Sequence, residues 1–227
     1  MTGSFQGTPV PENVGRTCAW THMCDPVDSG GFAMNIHTND IGHGKLATAF
    51  EQTIDRWFRG GGGGQWLTTA AGNVHTVGNA VSFGSMAGQH LNRPIVGMAR
   101  TPDSQGYWLV AADGGIFTFG DAGNSGSLAG QQLNQPVVGM AVTVDGNGYW
   151  MVARDGGVFS FGDAGYHGSA GGTVLNKPII GMSVAPNGFG YWLAAADGGL
   201  FTYGSASFNG SAGGNPPSSP VVAVGTT

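Results

Sequence analysis

Apolar and polar positions along this chain recur with a period of 42 residues from about residue 64 onward. Trp66, Trp108, Trp150 and Trp192 mark the beat, standing in GQWLTTAAGNVHTVGNA, GYWLVAADGGIFTFGDA, GYWMVARDGGVFSFGDA and GYWLAAADGGLFTYGSA. A second phrase keeps the same interval. LNRPIVGMA, LNQPVVGMA and LNKPIIGMS place Pro94, Pro136 and Pro178, and SSPVVAVG places Pro220 where the next is due. Fixed periods of roughly 40 to 50 residues point to propellers or solenoids.

Each unit predicts four strands, here numbered on one copy: a over 94–99, b over 107–112, c over 116–119 and a short d near 125–128. Asp113-Gly114-Gly115, repeated at Asp155 and Asp197, supplies the positive φ of a tight turn, so b and c should be antiparallel neighbours. Strand b is apolar on both sides, which calls for cover on both faces. Gly97, Gly139 and Gly181 inside strand a suit an innermost strand, where backbones crowd. The array opens with the Trp phrase and finishes with the Pro phrase, so the first unit lacks an inner strand and the last has one to spare. The expected fold is therefore mainly β: a four-bladed β-propeller over 65–227, closed by its C-terminal strand 220–224. The competing arrangement is a ring completed by two or more chains.

Ahead of the array, residues 1 to about 40 show no sustained period and carry Pro9, Pro11 and Pro26, so an irregular segment is expected. One α-helix is predicted over 44–59. Leu46, Phe50, Ile54, Trp57 and Phe58 fall on one face and would anchor it, while Gly60 ends it. The glycines over 60–64 read as a hinge. The chain thus divides into an anchoring segment over 1–59, the hinge, and the propeller over 65–227.

Charge changes the picture of partners. Charged residues are 9% of the 227 positions, against an ordinary share of about 25%. Over 65–227 there are four Lys and Arg against seven Asp and no Glu, so no basic stripe faces phosphates and nucleic acid is not an expected partner. Residues 1–15 have neither a basic nor an apolar leader pattern, and no apolar run is long enough to span a bilayer, so neither signal peptide nor membrane insertion is expected. Cys18 and Cys24 are the only thiols. A disulfide and a zinc site completed by His22 and either His37 or His43 both remain open, beside the plainer reading of two ordinary cysteines. No metal and no cofactor is assigned.

GYWLVAADGGIFTFGDA resembles a repeat of actinobacterial cell-surface proteins and of virion proteins of the phages that infect those bacteria. Its Asp-Gly-Gly hairpin, followed by an aromatic strand and a glycine, also resembles the blades of chromosome-condensation-regulator propellers. The resemblance covers roughly 64–227 and implies a β-rich surface module without catalytic residues. The first copy departs from it, with Gly72-Asn73 closing the turn and His75 in place of a phenylalanine.

The periodic tryptophans could form a sugar-stacking platform, but their place in mid-strand favours a core role. Asp113, Asp121, Asp155, Asp163 and Asp197 could be drawn as calcium ligands, yet Asp is favoured in turns for its own reasons. Positions that change between otherwise matching units are freer to serve recognition: Ser82-Phe83, Asn124-Ser125, Tyr166-His167 and Phe208-Asn209, with the a-to-b loops over 101–106, 143–148 and 185–190. Asn124, Tyr166, His167, Phe208 and Asn209 are the expected binding residues. His22, His37, His43, His75, His90 and His167 follow no catalytic motif, so no enzyme is expected. The expected role is a non-enzymatic structural and binding protein. It would be a phage virion component, a capsid decoration or tail-associated protein, bound to other structural proteins through 1–59 and touching host-surface glycan or neighbouring subunits. The alternative is a glycan-binding module at the bacterial cell surface.

Overall fold

The computed structural model of the chain describes residues 4–5, 8–9 and 63–225. Two units divide it, Met1–Gly62 and Gly63–Thr227. Among the described residues, the first unit contains one small antiparallel pair, β1 (Ser4–Phe5) with β2 (Thr8–Pro9). The expected helix over 44–59, its anchoring residues Leu46, Phe50, Ile54, Trp57 and Phe58, and the Cys18 and Cys24 segment lie outside the described residues.

The described part of the second unit is built from antiparallel sheets. β3 (Gln65–Thr68) pairs with β4 (Val74–Val77). Three sheets of three strands follow. They are β5 (Ile95–Arg100), β6 (Gly106–Ala111) and β7 (Ile116–Gly120); β8 (Val137–Val142), β9 (Gly148–Ala153) and β10 (Val158–Gly162); and β11 (Ile179–Val184), β12 (Gly190–Ala195) and β13 (Leu200–Gly204). The strand that carries the tryptophan is central in each.

The hairpins form for the reason the sequence gives. Gly114, Gly156 and Gly198 adopt φ of 75°, 84° and 83°, and Asp113, Asp155 and Asp197 accept the N–H two residues on through Oδ1. Only the first glycine of each pair needs the left-handed region. That explains how Gly72-Asn73 keeps the same turn in the first copy, with Gly72 at 76°. The fourth strand expected near 125–128 is not formed. Gly126 has φ of 131°, and Leu128 donates its N–H to the Gly114 carbonyl, so this stretch braces the hairpin turn instead of joining a ladder.

Successive sheets lie face to face, and the core is made between them. Trp108, Val110 and Ile116 of one unit pack with Val137, Tyr149 and Met151 of the next, and Trp150, Val152 and Val158 pack with Ile179, Tyr191 and Leu193. Every residue of β6 and β9 is therefore buried, as two-sided apolarity requires. The inner strands run beside one another, β5 with β8 and β8 with β11. A Cβ added at Gly97 would lie 3.9 Å from the Gly139 Cα, and one at Gly139 would lie 3.7 Å from the Gly181 Cα, so the inner strands approach to within ordinary contact distance of a single methyl group. A backbone bond ties each junction: Ile95 donates to Ala70, Val137 to Ala112, Ile179 to Arg154 and Val221 to Ala196.

The closing pair expected between 220–224 and the first sheet is not formed. β3 pairs with β4 alone, and residues 220–224 carry no strand. They lie on β11, where a Cβ at Gly181 would meet the Val224 Cγ1 at 3.6 Å. The Val221 bond to Ala196 is the same one that seats every inner strand on the preceding hairpin, so the last segment follows its predecessor without pairing to a central strand. At the other end, Gly64 lies against the Ala80 backbone, since a Cβ there would fall 2.0 Å from its nitrogen, and residues 60–62 of the expected hinge lie outside the described residues.

Candidate binding surface

Four matching positions, Ser82, Asn124, Tyr166 and Phe208, stand just before the segment that braces each hairpin, and all four are exposed. Tyr166 and Phe208 are each 62% exposed. Asn124 accepts the Gly126 N–H on its Oδ1 at 2.9 Å. The neighbouring positions, Phe83, Ser125 and His167, point the other way, into the junction with the next unit. The His167 ring is half-buried, 5.6 Å from the Tyr191 ring and 6.4 Å from Trp150, and the His167 backbone N–H donates to the Tyr191 hydroxyl at 3.2 Å. His167 thus packs in the junction between two units, where the more exposed Tyr166 beside it does not. Asn209, its counterpart in the last unit, is exposed because no further unit covers it among the described residues.

The a-to-b loops form a second row. Gly188 stacks on Val144 and Gly146 on Pro102, so consecutive loops support one another. Phe189 is 70% exposed and Val144 65%. Gln105 and Asn147 stand where Phe189 does, and comparing the three in phase would have singled out the phenylalanine. Asp103, Asp145 and Asn187 each accept an N–H two residues on, which fixes the shape of these loops.

Hydrogen bonds from Thr143 and Asn147 hold the Asp145 carboxyl at about 2, below its ordinary 3.8. A carboxylate depressed in this way supports the loop above its ordinary value and loses that support as pH falls toward 2. We expect carboxyl NMR of the folded protein to show Asp145 titrating near 2. Asp145→Asn should keep the turn, as Asn187 does, and abolish the acid-induced loosening of this loop.

Two of the four tryptophans offer no stacking platform. Trp108 and Trp150 are 1% exposed, and their indole N–H groups donate to the Gly123 and Gly165 carbonyls at 2.6 and 2.7 Å. Trp192 differs. It is half-buried and lines a cleft of about 560 Å³ with Asn187, Leu200, Ser207, Asn209 and Val224. Burial raises the Tyr149 and Tyr191 phenols above their ordinary values, though backbone N–H groups of Ser125 and His167 pull the other way. Both therefore stay protonated at neutral pH and act as donors to backbone carbonyls. Among the described residues no three His, Cys, Asp or Glu side chains gather to hold a metal ion, and no helix is long and apolar enough to cross a membrane. No protein-family model matches the chain, and no curated protein is significantly similar to it.

Proposed function

We propose that this chain is a non-enzymatic structural and binding protein whose repeat array presents side chains to a partner surface. The observation that carries this reading is the exposure of Tyr166 and Phe208 at matching positions, and of Phe189 in an a-to-b loop, on a framework whose repeated tryptophans and tyrosines Trp108, Trp150, Tyr107, Tyr149 and Tyr191 are buried. Exposed aromatics on a rigid scaffold supply contact area at small conformational cost. The finer architecture we propose is propeller-type, with the sheets as blades. The open ends argue against a wheel shut by one chain.

A virion surface is the setting supported by the resemblance of the repeat to phage structural proteins and by a surface almost free of charge. Residues 1–59 would dock on other structural proteins, and the array would meet the host envelope or neighbouring subunits. The exposed rings of Tyr166 and Phe208 also favour the second reading, a cell-surface module that holds wall glycan, because sugar faces stack on such rings.

One experiment separates the two. Immunogold labelling of purified phage particles should find the chain on the virion, and the Tyr166→Ala/Phe208→Ala protein should bind host envelopes at least about tenfold more weakly. The double variant should unfold within about 0.5 kcal/mol of the parent per site, since both side chains are exposed. Unchanged envelope binding would remove these residues from the surface. Label on bacterial walls and none on particles would transfer the chain to the second reading.

A further inference from the structure

The two ends of the repeat array supply what the other lacks. Inside the chain one junction is built three times from the same parts. Tyr107, Tyr149 and Tyr191 pack on Trp66, Trp108 and Trp150 of the preceding unit, at ring separations of 5.4, 6.2 and 5.8 Å. Their hydroxyls donate to the carbonyls of Gly84, Gly126 and Gly168, and the aromatic rings of Phe119, Phe161 and Tyr203 cover those same glycines. A fourth junction is begun and left open. Trp192 faces the 560 Å³ cleft where a tyrosine would sit, and Gly210, the counterpart of Gly168, has nothing within 4 Å of its added Cβ.

The opposite end has the complementary gap. β3 has no inner strand, and Leu67 is 54% exposed although its counterparts Leu109, Met151 and Leu193 are fully buried. Residues 221–225 occupy an inner-strand place beside β11 with no central strand to pair with. In the register of the internal sheets, where Met98 faces Leu109 and Ala99 faces Trp108, Val224 falls opposite Leu67 and Gly225 opposite Trp66. Neither end has a charge to desolvate: residues 63–92 and 198–227 contain no Lys, Arg, Asp or Glu.

We propose that a second copy of this chain fills the cleft, with β3 of one copy pairing with residues 221–225 of the other. Leu67 and Val77 of the incoming copy then cover Trp192 and Gly210. Gln65, which stands at the tyrosine position, brings an amide donor to the Gly210 carbonyl. A head-to-tail contact either closes into a ring or runs on as a fibre. Two chains give eight sheets, at the upper end of the usual four to eight blades of a propeller, so the closed form is a dimer. Pairing within one chain would require 221–225 to reach β3 of their own array, and no backbone hydrogen bond joins them.

This assembly is independent of what the array binds, so its test does not depend on the reading above. Light scattering of the full chain should give twice the 23.0 kDa of one copy. Leu67→Asp and Val224→Asp should each return a folded single chain, with dimer affinity lowered about thirtyfold or more. In a Cys18→Ser/Cys24→Ser background, mixing a Leu67→Cys chain with a Val224→Cys chain should yield a disulfide-linked dimer under oxidation. A single-chain mass for the parent protein, or a double cysteine variant that closes on itself instead of on its neighbour, would overturn the proposal. Binding of a chito-oligosaccharide in the cleft of a single-chain parent would do the same and assign the cleft to a glycan.

Discussion

Trp150→Ala is expected to cost about 3 to 5 kcal/mol of stability, the range for emptying a fully buried aromatic site. The indole is 1% exposed, packs against Tyr191 at 5.8 Å and belongs to the core shared by two units, so its loss opens a cavity on both sides of the junction. Its hydrogen bond contributes less. The carbonyl it serves belongs to Gly165, which is exposed and can turn to water. Against a usual stability of about 5 to 15 kcal/mol, the loss takes a large share of the whole. Urea unfolding followed by circular dichroism would measure it, and a cost under about 1 kcal/mol would contradict the two-sided packing described here.

Gly148→Ala should be nearly as damaging, at about 2 to 3 kcal/mol, for a purely steric reason. A Cβ at this position would fall 2.5 Å from the Phe161 carbonyl oxygen and 2.6 Å from the Ala164 nitrogen. Both are backbone atoms of the same hairpin, so neither can swing aside as a side-chain tip would. Gly106 and Gly190 meet the same obstacle, with the nearest carbonyl oxygen at 2.4 Å in each case. Gly123→Ala is the control. Nothing lies within 4 Å of its added Cβ, and the change should be neutral within about 0.5 kcal/mol in the same unfolding assay.

Much of this fold can be read from the order of residues because repetition multiplies each signal. A single Asp-Gly-Gly is a modest turn indication, but three in phase, each followed by an aromatic strand, define the hairpins. The buried tryptophans follow from an apolar run on both sides of one strand. Two features escaped. Residues 125–128 look strand-like, yet Gly126 lies in the left-handed region and the Leu128 N–H is taken by the Gly114 carbonyl. The destination of 220–224 could not be read either, because the local bond of Val221 to Ala196 is satisfied whether or not the array closes.

The candidate surface was legible to about the same depth. Variation between units marked pairs of positions without telling which member of each pair faces out. Tyr166 and Phe208 do, whereas His167 turns inward because its ring fills the space that Phe83 fills two junctions earlier. Phe189 lay in a loop already singled out for variability, but its exposure depends on the stacked loops beneath it, which no single copy reveals.

The recurring backbone bond between one hairpin and the next inner strand makes every junction chemically alike. Removing or adding a stretch of 42 residues would leave each surviving seam unchanged, so unequal crossing-over could alter the number of presented side chains without redesigning the scaffold. Recognition in such a protein can diversify by copy number as well as by point substitution.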